Sequence, residues 1–300
     1  MSFETQAPDW AWYFVALYFF IGGTAAGAYF IGSLAELFGG KSQREISRIA
    51  FYLAFPLILI TPFLLIADLG RPERFWHLFV YANGGRPAFN FFSPLSVGSW
   101  ALLLFGAMAF LSFLDNLIVD GRLKSAPFAN LYNRIPRRLY GLVGSLAGFF
   151  VAGYTGVLLD LTARPLWAAS DPLVGALFVA SAGSAGAAAI ALVLAWRKTT
   201  SNEMAAQLGA FDRIVMIIEL VLVVAMIVIA GQFAAPLLSG PYAIMFWGGA
   251  VLLGILIPLV LNWTARRPGP ASSNLVVLTA ILVLFGSALL RISLVQAGQV

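Results

Sequence analysis

An all-α, polytopic membrane protein with eight crossing helices and a short interfacial helix after the second is the fold class this sequence predicts. Three observations carry it. The 300-residue chain is 61% hydrophobic and only 10% charged, whereas a soluble domain is about 45–50% apolar and about 25% charged. Its apolar residues gather in eight runs of the length a helix needs to cross about 30 Å of hydrocarbon. Stretches such as Leu220 to Gly231 lack the alternation that a barrel strand requires.

The runs span 12–37, 49–67, 92–114, 138–160, 173–196, 213–235, 241–264 and 274–295. Before the first, Met1 to Ala11 carries Glu4 and Asp9 and no Lys or Arg, so a retained span is expected here and not a cleaved leader. Gly23 to Gly27 in the first run and Gly144 to Gly148 in the fourth are small-xxx-small patterns that allow close helix packing. Pro56, Pro62 and Pro258 are candidate helix breakers in the second and seventh. The stretch Ala180 to Ala191 is almost entirely Ala, Gly and Ser. It reads as a helix gripped on several sides, with no side chains to hold a ligand. The connections 68–91 and 115–137 are the longest, so residues 1–300 read as one membrane domain with no soluble domain.

Charge sets the expected orientation. Loops after odd-numbered spans hold 13 of the 18 Lys and Arg residues; the opposite face, with Arg71, Arg74, Arg86, Arg164 and Arg291, holds five. Basic loops stay inside, which places both termini outside a prokaryotic cytoplasmic membrane. The net charge of +5 follows from this topology and requires no nucleic acid. The chain has no Cys and one His, His77. That composition excludes disulfides, thiolate-held iron–sulfur clusters and bis-histidine haem within the chain. Redox work here therefore needs a diffusible organic cofactor or a partner's metals.

Ionisable residues inside spans are costly and informative. Glu219 sits in the sixth run, and Asp212 lies seven residues earlier, which puts both carboxylates on one helical face. Asp212 is expected at the cytoplasmic rim, with Glu219 two turns deeper. The pair suits a proton path; the alternative is a packing acid bonded to a neighbouring helix. At the opposite face, Asp68-Leu-Gly-Arg71-Pro72-Glu73-Arg74-Phe75-Trp76-His77 follows the second span. Pro72 is placed to open a short helix. Phe75, Trp76, Phe79 and Val80 form one stripe, and Arg74, His77 and Tyr81 another. His77 has the one side chain whose reference pKa is near neutrality. Tyr154 lies about two turns inside the same face, with Gly153 and Gly156 expected to leave space beside its ring. Tyr, His and Arg donate hydrogen bonds, and Asp and His pass protons, as a two-electron, two-proton quinone reaction requires. An interfacial belt of aromatic and basic residues is the alternative.

The motif from Asp68 to Phe75 resembles the signature of the NrfD/polysulfide-reductase membrane-subunit family. Trp12 to Tyr18, followed by Gly22 to Gly27, resembles the family's first helix. Tyr154 to Leu159 resembles its fourth, and Asp212 with Glu219 its sixth. The resemblance covers essentially the whole chain. It implies a quinone-handling subunit of a respiratory oxidoreductase that uses menaquinone in preference to ubiquinone and binds neither haem nor iron–sulfur cluster itself. It implies an extracytoplasmic, ferredoxin-like iron–sulfur partner, joined to a molybdopterin catalytic subunit. Tyr154 matches the quinone-site tyrosine; Glu219 and Asp212 match an acidic path. Asp68, Arg71 and His77 complete the expected quinone site, while Arg74, Trp76 and Arg164 are expected to dock the partner. The family's Asn or His near the start of helix one is missing from Pro8 to Trp12, which leaves Asp9 and His77 as replacements. A secondary transporter shares the eight spans and the buried acid, but no repeat between the halves is evident.

Overall fold

The computed structural model describes residues 12–39, 43–81, 84–123, 137–162, 164–199, 201–264 and 273–300. Apolar runs become helices because a backbone away from water must satisfy its own hydrogen bonds. The spans are α1 (Trp12–Phe38), α2 (Arg44–Ala67), α3 (Pro94–Val119), α4 (Arg137–Asp160), α5 (Leu173–Trp196), α6 (Asn202–Ala230) and α8 (Ser273–Ala297). The seventh, α7, joins a first turn Pro241–Ala243, a π-helical stretch Ile244–Leu256 and an α-helical end Ile257–Thr264. All eight are long and apolar enough to cross a membrane. Among the described residues the one β feature is a single bridge between Val80 and Pro87.

Local chemistry sets several boundaries. The Ser93 side chain accepts from the Ser96 amide to open α3, with Pro94 in the first turn; Ser201 does the same for α6 through Met204. The helix α6 therefore begins eleven residues before the apolar run at 213, and α2 five before the run at 49. Their polar opening turns are helical but not hydrophobic. Pro56 and Pro62 lie inside α2 without ending it. The π-helical stretch directly precedes the turn holding Pro258, which lacks the amide to continue an ordinary ladder.

Alternating helices give the bundle two ends. The loop end carries residues 68–81, 84–93, 161–162 and 164–172. The basic end carries the start of α2, α4 and α6 with Arg44, Arg48, Arg137 and Arg213. At the loop end, the expected interfacial helix is a 3-10 turn over Pro72–Leu78, exposed along most of its length.

The helices α1 and α5 run through the middle and are the most buried spans. The first packs on α2, α4, α5 and α8; the second on α1, α4, α6 and α8. Their backbones touch. A Cβ on Gly27 would lie 1.8 Å from the Ala182 carbonyl oxygen, and one on Gly186 would lie 2.3 Å from the backbone of Gly27 and Ala28. Small residues are what permit this approach. Phe19, Phe105, Phe178 and Phe246 fill the core around that seam.

Candidate functional site

The buried stripe of α6 runs Leu208, Asp212, Met216, Glu219, Val223, Met226, at the three- and four-residue steps of one helical face. Both carboxylates belong to it. Asp212 lies ten residues into α6, which begins before the apolar run, and is 6% exposed. Ser184 of α5 donates to its Oδ1 at 2.6 Å, and the Asn262 amide of α7 donates to its Oδ2 at 3.0 Å. A cavity of about 50 Å³ opens beside it, lined by Ala187, Ala191, Gly209, Asp212 and Asn262 on the basic-end side. A water needs about 10–15 Å³ on the same measure, so a short water chain fits against this carboxylate.

One turn from Ser184 on α5 stands Ser181. The Glu219 carboxyl faces Ser181 and lies in the field of the Arg291 guanidinium. Arg291 Nη1 donates to Ser181 Oγ at 3.1 Å, to Ser287 Oγ at 2.6 Å and to the Ser287 carbonyl at 2.9 Å. Its Nε donates to the Phe19 carbonyl at 3.1 Å, and Nη2 to that of Phe178 at 3.4 Å. The guanidinium also lies 5.1 Å from the Phe178 ring centre. A Cβ on Gly23 would stand 2.9 Å from Nη2, so the small-residue pattern of α1 makes room for this cation.

Two expectations are corrected here. Arg291 is not a loop charge; it is 1% exposed in the interior of α8, and the cost of burying it is met by five acceptors and an acid. The Ala/Gly/Ser stretch of α5 is gripped on several sides, but its serines also do polar work: Ser184 bonds Asp212, and Ser181, one turn away, bonds Arg291 and faces Glu219.

Tyr154 lies near the loop end of α4, 7% exposed, and its hydroxyl is buried without a hydrogen-bond partner. Its ring stacks on Phe150, centroids 5.9 Å apart. The room beside it does not come from Gly153 and Gly156. Those glycines face α5: a Cβ on Gly156 would lie 2.5 Å from the Gly175 backbone, and one on Gly153 would lie 3.2 Å from Val179. Gly98 of α3 is the residue that yields, since a Cβ there would lie 2.1 Å from the Tyr154 ring. The phenol of Tyr18 in α1 is close enough to act electrostatically on that of Tyr154. Tyr18 was missed because it sits in the first-helix motif with nothing to separate it from packing aromatics.

The other predicted residues lie around this end. Asp68 caps α2, half-buried, and burial pushes its carboxyl above the ordinary value. Arg71, Arg74, Trp76 and His77 are exposed on or beside the 3-10 turn. The following loop is seated on α3 by Trp100, which contacts Phe79 at 5.6 Å and donates from Nε1 to the Ala88 carbonyl at 3.0 Å. No hydrogen bond among the described residues joins Tyr154 to Asp68, Arg71 or His77. Arg164 donates to the Gln299 carbonyl at 3.2 Å and so ties the chain's end to the α4–α5 connection. Asp9 lies outside the described residues.

Eight membrane-crossing helices holding a buried acid–serine–arginine chain define a multi-pass membrane protein. The family model "Polysulphide reductase, NrfD" matches residues 2–300, so the chain belongs to the NrfD/polysulfide reductase family of oxidoreductase membrane subunits. It is 31% identical to the C chain of polysulfide reductase from Wolinella succinogenes, over 97% of this sequence and 94% of that one. It is 29% identical to an NrfD homolog of Haemophilus influenzae, over 98% and 96% of the two sequences. With the C subunit of selenate reductase from Mesobacillus selenatarsenatis it shares 24% identity, over 87% of this sequence and 68% of that one. Two of these relatives are thus named as parts of reductases, and membrane subunits of reductase complexes work with catalytic partner subunits.

Proposed function

We propose that this chain is the quinone/quinol-binding anchor of a respiratory oxidoreductase in a prokaryotic cytoplasmic membrane. The loop end and both termini face outward. A ferredoxin-like iron–sulfur subunit, joined to a molybdopterin catalytic subunit, docks on that end over Arg74, Trp76 and Arg164. The carrying observation is the Tyr154 hydroxyl, buried and unpartnered beside the cradle at Gly98. Buried hydroxyls almost always find partners, and a quinone carbonyl oxygen is a fitting acceptor. When bound, a quinone, menaquinone in preference to ubiquinone, supplies two-electron, two-proton chemistry at its two ring oxygens.

The chain's own residues do the rest. Tyr154 donates a hydrogen bond and orients the ring. Asp68, Arg71 and His77 supply polar groups at the mouth of the site, where charge and protons are exchanged, and Asp9 is the fourth quinone-binding candidate. The basic-end cavity brings water to Asp212, and Ser184, Ser181 and Glu219 extend a proton path inward from it.

Quinone extracted with the purified protein tests the site. Tyr154→Phe removes one donor, worth about 1 kcal/mol or several-fold in affinity, so the variant assembles but retains less quinone. Equal retention would refute the assignment. For the path, Glu219→Gln in the reconstituted complex abolishes proton uptake; uptake and turnover both unchanged would exclude it.

A further inference from the structure

Asp160 ends α4, six residues beyond Tyr154 and about 9 Å nearer the loop end along the helix axis. It is 8% exposed, and both of its carboxylate oxygens are buried with no hydrogen-bond partner among the described residues. An ionised carboxylate with no donor is costly in such a place. Gly156, one turn earlier on the same face, packs on the Gly175 backbone, so this face of α4 points toward the start of α5. There Asp171 acts electrostatically on Asp160 from the turn leading into α5, and Asp171 itself is exposed. Arg164, in the same connection, donates to the Gln299 carbonyl.

Two neighbouring acids therefore stand in series, one buried and one in water. Proton gain and loss by such neighbours are coupled. The unpartnered Tyr154 hydroxyl on the same helix is a second, separate sign that this end of α4 is built for a proton-bearing ligand.

We propose that Asp160 and Asp171 form a carboxylic acid pair that exchanges a proton between the Tyr154 site and the aqueous phase at the loop end. The proposal rests on the quinone reading of Tyr154. In the oxidising direction both O–H bonds of the quinol break, and each proton in turn forms an O–H bond on Asp160. Each then passes to Asp171 and water before the next arrives, while two electrons leave to the iron–sulfur partner and the quinone remains. In the reducing direction the same protons travel inward. No group of this chain changes oxidation state.

Infrared difference spectroscopy on the purified full chain, in H₂O and D₂O across a pH series, tests the pair without turnover. The expected result is a protonated-carboxyl C=O band that is lost in Asp160→Asn and restored in Asp160→Glu. Asp171→Asn displaces the pH at which that band changes. In the assembled complex, Asp160→Asn keeps its quinone but loses about tenfold or more in quinol turnover, together with a limb of the pH profile. A band that Asp160→Asn leaves intact, or one indifferent to Asp171→Asn, overturns the proposal. So does a pH profile identical to that of the unaltered complex. Should the band behave as expected while Tyr154→Phe retains all its quinone, the quinone reading fails and the acid pair stands as a proton-exchange site.

Discussion

Replacing Arg291 with Met removes a buried cation while roughly keeping the length of its stem. The three carbonyls it touches, on Phe19, Phe178 and Ser287, belong to helices and keep their ladder bonds. What is lost is the donor to Ser181 and Ser287 and the positive field on Glu219. Removing one partner of a buried pair costs about 3–5 kcal/mol. Here the acid is reached through Ser181, so the low end of that range applies, about 3 kcal/mol. Combining the change with Glu219→Gln separates packing from electrostatics. If the two groups act on each other, Arg291→Met costs less once the acid is gone, by about 1–2 kcal/mol. Unfolding in mixed micelles, followed by the fluorescence of the eight tryptophans, measures all four corners of the cycle. Costs that add to within about 0.5 kcal/mol, or a loss below about 1 kcal/mol for Arg291→Met alone, would refute the coupling.

Three further outcomes are expected. Gly98→Ala drives a methyl into the Tyr154 ring, 2.1 Å away, and lowers retained quinone at least as much as Tyr154→Phe; Gly106→Ala, with nothing within 4 Å, leaves retention unchanged. Gly27→Ala forces α1 away from the Ala182 carbonyl and lowers thermal stability in detergent by about 1–3 kcal/mol. At the basic end, burial raises the pKa of Asp120, but donors from the Tyr52 hydroxyl and Arg48, both at 2.7 Å, outweigh it and hold the carboxyl below its ordinary value. A depressed acid stabilises the fold above its ordinary value, about 4, and that contribution is lost as pH falls through the folded value. The stability gap between the unaltered protein and Asp120→Asn should therefore be present at neutral pH and close in acid, as read by unfolding at stepped pH.

The spans were legible because hydrocarbon demands long apolar runs, and little else produces them. Their starts were not: Arg44 to Ser47 and Asn202 to Asp212 mix charged and polar residues among apolar ones, and they are helical through capping and packing that hydropathy does not register. Glu219 and Asp212 stood out because burying a carboxyl is costly. Arg291 was assigned to a face because counting basic residues treats each as a loop charge, and only the tertiary fold reveals the acceptors that let it stay inside. Ser181 and Ser184 were hidden among small residues, where a hydroxyl that bonds an acid looks the same as one that merely fits. Around Tyr154, the glycines adjacent in sequence belong to a different contact. Gly98, which makes the room, lies 56 residues away, a separation that no local motif bridges.

The seam between α1 and α5 bears on how charge can leak. Where Gly27 meets Ala182 and Gly186 meets Ala28, backbone lies against backbone and no gap remains for a file of water. A membrane that stores energy as a voltage needs such dielectric continuity wherever a protein pierces it. The seam acts as insulation. Ions that would otherwise short-circuit the membrane meet a dry wall along this seam, which is what the proposed proton path through Asp212 and Glu219 requires of its surroundings.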